Sequence, residues 1–210
     1  IEGVKQLNAV EYEPIPDRLV IGLLMMSTAA TGGDVVIHDV RPDHLRLVNA
    51  KLEQMGVTID DLDGSFRVRR DRNQRLSPIN ITTHPFPGYP TDLQPCIVAL
   101  STLADGKSFI RERIFENRYD FTDGLIAMGA DIIISQSSVC IVNGVEKLRP
   151  ANMRAASIRA GAALLLAGLS ANGTSIIDNA YQIDRGHERI EDQLIQLGAT
   201  ITRITPQPET

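Results

Sequence analysis

His84-Pro85-Phe86-Pro87-Gly88-Tyr89-Pro90-Thr91-Asp92-Leu93-Gln94 is the stretch on which the reading of this 210-residue chain turns. Three prolines and a glycine stiffen its backbone, and the run opens into an apolar segment at Leu93. Proline fixes φ and has no N–H, so the loop belongs neither to a helix interior nor to a central strand. The residues therefore predict a rigid loop that delivers Thr91 and Asp92 to the start of a buried helix. Capping is the commonest task of an aspartate in that position. Pro95 restricts it, because the third helical position then lacks an N–H and only Gln94 remains to be capped.

Outward from this join the same pattern recurs. Ser27-Thr28-Ala29-Ala30-Thr31-Gly32-Gly33, Leu103-Ala104-Asp105-Gly106 and Ser170-Ala171-Asn172-Gly173 each end an apolar helix at small residues and glycine, the usual left-handed stop. Each leads into a β-type run: Asp34–Ile37, Lys107–Ile110 and Thr174–Ile177. A second series, Met55-Gly56-Val57-Thr58-Ile59, Met128-Gly129-Ala130-Asp131-Ile132 and Leu197-Gly198-Ala199-Thr200-Ile201, ends an amphipathic helix and begins a strand. Gly33 to Gly56 and Gly106 to Gly129 both span 23 residues, and Gly173 to Gly198 spans 25, which makes the recurrence a repeat. Three units result, about 15–70, 76–143 and 147–205, each with further strands expected at Ser65–Arg69, Val139–Val142 and around Lys147. The first helices (about 18–30, 93–104 and 158–170) are apolar nearly all round and should be buried. The second helices (about 43–55, 120–128 and 187–197) carry charge on one face and should lie nearer solvent. The fold class is α/β, with buried helices inside, sheets around them and outer helices over those. No Gly-x-Gly-x-x-Gly follows a strand, so a doubly wound nucleotide-binding fold is excluded.

Apolar content of 43% and charged content of 22% suit a soluble globular chain. A net charge of −5 argues against nucleic acid or an anionic membrane as partner. Cys96 and Cys140 form no CxxC pair and offer neither a disulfide framework nor a zinc signature, which fits a reducing cytoplasm. Both read as packed core thiols. His38, His44, His84 and His187 show no metal-ligand spacing, so no metal is expected. Ile1-Glu2-Gly3-Val4 reads as the middle of a longer polypeptide.

The buried helices begin at Asp17-Arg18, Asp92-Leu93-Gln94 and Ser157-Ile158-Arg159, and approximate three-fold symmetry would gather these ends. Helix N-termini with free N–H groups favour anions. An arginine precedes each second helix: Arg41, Arg118 and Arg185. Taken singly each arginine is most simply a surface charge of small energetic weight. Taken together, Arg118, Arg159 and Arg185 suggest a clamp for phosphate or carboxylate, which the guanidinium fork bonds bidentately.

The order of motifs then points to a family. Phe86-Pro87-Gly88-Tyr89-Pro90-Thr91-Asp92-Leu93-Gln94, Ile114-Phe115-Glu116-Asn117-Arg118, Met128-Gly129-Ala130, Gly144-Val145-Glu146-Lys147-Leu148 and Ile183-Asp184-Arg185-Gly186-His187-Glu188-Arg189-Ile190-Glu191-Asp192 resemble the UDP-N-acetylglucosamine 1-carboxyvinyltransferases, enolpyruvyl transferases of bacterial peptidoglycan synthesis. The resemblance implies a two-domain enzyme, each domain an inside-out α/β barrel of three βαβαββ-like units. It makes this chain about half of that enzyme. Residues 1–14 would end the preceding domain and 15–210 would form the second. It implies transfer of the enolpyruvyl group of phosphoenolpyruvate to the 3-hydroxyl of UDP-N-acetylglucosamine, with release of phosphate and no cofactor.

By their places in these motifs, Asp92 resembles the carboxylate that contacts the hydroxyl and takes its proton, and Ile114 a sugar-nucleotide contact. Arg185 resembles the arginine that closes on phosphoenolpyruvate, with Arg118 and Arg159 lining the same pocket. The family's proton-donor cysteine and its phosphate-gripping lysine and asparagine have no counterparts here, and neither Cys96 nor Cys140 matches that cysteine. The chain also departs from the pattern at Ser157, where the family has Asp, and at Leu19-Val20-Ile21, where it has a polar pair. Ser157 keeps a second reading open: a non-catalytic paralogue that binds a sugar nucleotide or phosphate.

Overall fold

A computed structural model describes residues 1–204. The expected domain end at 210, and the end of the third unit at 205, lie outside the described residues. Residues 1–17 contain no helix or strand and lie mostly exposed. In chain order follow α1 (Arg18–Thr31), β1 (Gly33–Ile37), α2 (Arg46–Gln54), β2 (Thr58–Asp61), β3 (Phe66–Arg70) and β4 (Asn80–Thr82). Then come α3 (Gln94–Ser101), β5 (Lys107–Arg111), α4 (Thr122–Ala127), β6 (Asp131–Ser135), β7 (Val139–Asn143) and β8 (Asn152–Arg154). The last are α5 (Ile158–Ser170), β9 (Ile176–Asp178), α6 (Tyr181–Asp184) and α7 (Ile190–Gln196).

The three apolar helices α1, α3 and α5 pack on one another at the centre. Every residue of α3 is buried, as are Ile21 to Ala30 of α1 and most of α5. A helix that is apolar on all sides has no face to give to water, so mutual packing is its stable arrangement. Buried hydroxyls inside these helices bond back to carbonyls one turn earlier, as Thr28 does to Leu24 and Ser101 to Ile97. At the far end of α1, arginines donate to its last carbonyls: Arg70 to Ala30 and Arg72 to Thr31. Cations there complement the negative end of the helix.

Three separate sheets surround this centre. The first has strand order β1-β3-β2, all antiparallel. In the second, β4-β5-β7-β6, β4 and β5 run parallel on either side of α3 and the rest are antiparallel. The third is the parallel pair β8-β9 on either side of α5. Among the described residues the βαβαββ order expected of every unit is complete only in 80–143. No strand precedes α1, none forms near Lys147, and Ala199-Thr200-Ile201 is not a strand. A β-run needs a neighbour for its amides. The third sheet, among the described residues, lacks the antiparallel strand that β3 and β7 supply to the other two. Glycine takes its predicted place at the helix stops, with φ near +97° at Gly56 and +90° at Gly129, a conformation that side chains disfavour.

Candidate functional site

The proline loop is as stiff as its composition predicts. Gly88 N–H donates to the Pro85 carbonyl (2.7 Å), His84 N–H to the Tyr89 carbonyl (3.2 Å), and the Tyr89 side chain is buried. Phe86 lies under the Arg18 guanidinium, 5.3 Å from its carbon to the ring centroid, and meets His44 edge-on. The loop is thereby anchored to the start of α1. Leu93 fills the space beside Gly22, where an added Cβ would come within 2.5 Å of Leu93 Cδ1. The ends of α1 and α3 therefore meet.

Asp92 does not cap its helix. Thr91–Leu93 forms a single 3-10 turn before α3, in which the Gln94 N–H donates to the Thr91 carbonyl. Pro95 has no N–H, so of the two donors that an Asp92 cap would use one is engaged by Thr91 and the other is missing. The residual capping expected through Gln94 is thus lost to the 3-10 turn. The other two starts are ordinary caps: Asp17 accepts from Leu19 N–H at 2.7 Å, and Ser157 accepts from Ala160 N–H at 3.2 Å. Ser157 therefore keeps the helix end although it brings no charge.

The carboxylate that does not cap is held by arginines instead. Asp92 Oδ1 accepts from Arg159 Nη1 at 3.2 Å and, through a longer contact of 3.4 Å, from Arg118 Nη1. The Arg118 side chain is only 13% exposed, against 39% for Asp92 and 37% for Arg159. Arg118 also donates to the Thr91 hydroxyl and stacks 4.2 Å from the Phe115 ring centroid. Burial, and then the neighbouring charge of Arg159, hold the Arg118 guanidinium below its ordinary pKa; Asp92 and Glu112 oppose this. Asp92 Oδ2 takes no hydrogen bond from any described residue. A solvent-open groove of about 330 Å³ borders Arg118, Arg159, Ser157 and Asn117. Two guanidinium groups share one oxygen of Asp92, so their remaining N–H donors can take an anion, and the other Asp92 oxygen is still open to a donor.

Ile114 joins the same corner: its N–H donates to Glu112 Oε1 at 2.7 Å. Arg185 does not join it. Its guanidinium is exposed and donates to Gln182 Oε1 at 2.8 Å, with no bond to Asp92, Arg118 or Arg159. Its flanking Asp184 is taken by Arg203, at 2.8 and 2.9 Å. Gly186, the next residue, packs against Ile158 beside the start of α5, which keeps Arg185 at the same end of the fold. Arg41 makes only a surface pair with Asp43. Two members of the corner escaped sequence reading: Thr91, which bridges Arg118 and Glu112, and Glu112 itself, a carboxylate just past β5 that is 3% exposed. The strand alternation that buries Ser108 and Ile110 also turns position 112 inward, and that was the available signal. Cys96 and Cys140 are buried, and burial pushes both thiols up to about 12. Among the described residues no group of three His, Cys, Asp or Glu side chains could hold a metal ion, and no helix is long and apolar enough to cross a membrane.

The mixed α/β fold agrees with comparison to known proteins. The family model for EPSP synthase (3-phosphoshikimate 1-carboxyvinyltransferase) matches residues 1–194, and the chain belongs to this enolpyruvyl transferase family. It is 47% identical over 203 residues to the UDP-N-acetylglucosamine 1-carboxyvinyltransferase of Thermobifida fusca, covering 97% of this chain and 47% of that protein. With the enzyme of the same name from Magnetococcus marinus it shares 45% identity over 97% of this chain and 48% of the relative. The chain thus spans about half the length of the curated relatives it matches. Among solved structures, the enolpyruvyl transferase NikO from Streptomyces tendae superposes with a TM-score of 0.75 at 27% identity, over 89% of this chain and 44% of that one. EPSP synthase from Acinetobacter baumannii, at 16% identity and a TM-score of 0.60 over 77% of this chain and 38% of its own, shares the fold.

Proposed function

We propose that this chain is the part of a two-domain UDP-N-acetylglucosamine 1-carboxyvinyltransferase that carries the Asp92 corner of its active site. Residues 1–14 end the preceding domain, and 15–210 form an inside-out α/β barrel of three units. The mutual packing of α1, α3 and α5 inside three sheets supports that architecture.

The observation that carries the functional reading is Asp92, with Oδ1 held by Arg118 and Arg159 and Oδ2 left open. In the reaction, the 3-hydroxyl oxygen of UDP-N-acetylglucosamine bonds to C2 of phosphoenolpyruvate, the hydroxyl loses its proton, and the C2–O bond to phosphate breaks. Asp92 Oδ2 is the acceptor for that hydroxyl proton; a base must lie within hydrogen-bond reach of it. The closed proline loop fixes the carboxylate's place, which is worth rate because misplacement by about 1 Å can cost about 100-fold. Arg118 and Arg159 bind the anionic groups of phosphoenolpyruvate in the adjacent groove, and Ile114 meets the sugar nucleotide through its pinned backbone. Arg185, unpaired with any described carboxylate, closes on the anion when the second domain does. The substrates are small and anionic and the setting is the bacterial cytoplasm, without nucleic acid, membrane or cofactor.

The test is phosphate release. The full-length polypeptide containing this chain should release phosphate when given both substrates, and the isolated 210-residue chain should not. Release by the isolated chain, or none by the full polypeptide, would overturn this reading.

A further inference from the structure

Glu112 is the most enclosed carboxylate of the site, and no described Lys or Arg nitrogen lies within 4 Å of it. A buried charge without an ion partner must be matched by hydrogen bonds. Four are present. Oε1 accepts from Thr83 Oγ1 (2.8 Å), Ile114 N–H (2.7 Å) and Phe115 N–H (3.2 Å), and Oε2 accepts from Thr91 Oγ1 (2.8 Å).

The direction of these bonds is fixed. A hydroxyl has one proton, and guanidinium and amide N–H groups can only donate. Thr83 Oγ1 accepts from Arg113 N–H at 2.9 Å and donates its proton to the acceptor Glu112. Thr91 Oγ1 accepts from Arg118 and likewise donates its proton to Glu112. The carboxylate thus receives four donors and offers none.

We propose that Glu112 is a positioning residue: through the Thr91 hydroxyl it orients Arg118 toward Asp92, and through two backbone amides it fixes Ile114. The proposal rests on the transferase reading for its consequence, but not for its geometry. Glutamine cannot accept all four of these bonds. With its NH2 on the Oε1 side it would face two N–H donors. On the Oε2 side it would donate to Thr91 Oγ1, which would then accept twice and no longer send its proton to position 112.

Two measurements test this. Guanidinium NMR of the 210-residue chain should show slowed Nε–Cζ rotation for Arg118. That signature should be lost in Glu112→Gln and Thr91→Val and largely restored in Thr91→Ser, which keeps the hydroxyl. Thr91→Val leaves three of the four bonds to Glu112, so it tests the relay even where Glu112→Gln unfolds the chain. Unchanged Arg118 signals in folded Thr91→Val would overturn the proposal. In the full-length polypeptide Glu112→Gln and Thr91→Val should each lower kcat/KM by about 10- to 100-fold, and Thr91→Ser should lower it less. The double variant of Glu112→Gln and Thr91→Val should be no worse than the weaker single, because both break one relay; losses that multiply would also overturn it. A native polypeptide that releases no phosphate would sink the transferase reading, and the NMR result would still judge Glu112.

Discussion

Replacing Asp92 by Asn separates the two things an aspartate at a helix start can do. The side chain caps nothing, so no cap is lost. What is lost is the charge on two contacts, 3.2 Å to Arg159 and 3.4 Å to Arg118, with Asp92 39% exposed. Pairs of that length and exposure contribute about 1 kcal/mol or less. For a domain of this size that is a fall in Tm of roughly 2–4 °C. Turnover should fall far more. Loss of a positioned proton acceptor costs about 10²- to 10⁴-fold, equivalent to roughly 3–5 kcal/mol of barrier. Differential scanning calorimetry of the 210-residue chain gives the first quantity, and phosphate release by the full-length polypeptide gives the second. A turnover loss below about tenfold, or a Tm loss that matches the kinetic one in free energy, would refute the argument and leave Asp92 a structural residue.

Gly144→Ala should destabilise the fold by about 1–3 kcal/mol, because an added Cβ would sit 1.7 Å from the Ala104 carbonyl oxygen where Gly144 N–H bonds Gly106; thermal unfolding by circular dichroism with no loss of Tm would contradict this. His187 is buried, and burial holds its pKa below the ordinary 6.5, with Asp17 opposing. The unfolded chain therefore takes that proton first, and stability should decline as the pH falls below 6.5. Urea midpoints across this range should show the slope, and His187→Phe should flatten it. Glu191 adds a separate acid window: its hydrogen bond from Arg203 lowers its pKa below 4.5, so its contribution is present above 4.5 and lost as the pH falls through the folded value. Cys96 and Cys140, with thiols pushed up to about 12, should resist alkylation at pH 8 in the native chain and react fully in denaturant, as a timed labelling experiment would reveal.

Much of the architecture was legible because it is written locally. Apolar residues on every side of Ile158–Ser170 identify a buried helix without knowledge of its neighbours. Gly56 and Gly129 mark joins where the backbone turns left-handed, which is a property of single residues. The strand at Ala199–Ile201 was misread for the complementary reason. Its residues suit a strand, but pairing depends on a partner, and among the described residues none lies beside it.

The sequence by itself determined the helices, their glycine stops, the rigid loop before Asp92 and the family motifs, since each depends on residues within a few positions of one another. Tertiary structure alone decided what those parts do together. Arg159 lies 67 residues from Asp92 and Arg118 lies 26 away; the packing of α3 against α5 brings the first, and the segment between β5 and α4 the second, to one oxygen. The same folding left Arg185 at the solvent edge and set the inward-facing Glu112 beneath Thr91, partnerships that spacing could not carry. Local sequence specifies a conformation; which charge meets which depends on long-range packing, where a shift of one helix turn would exchange every partner.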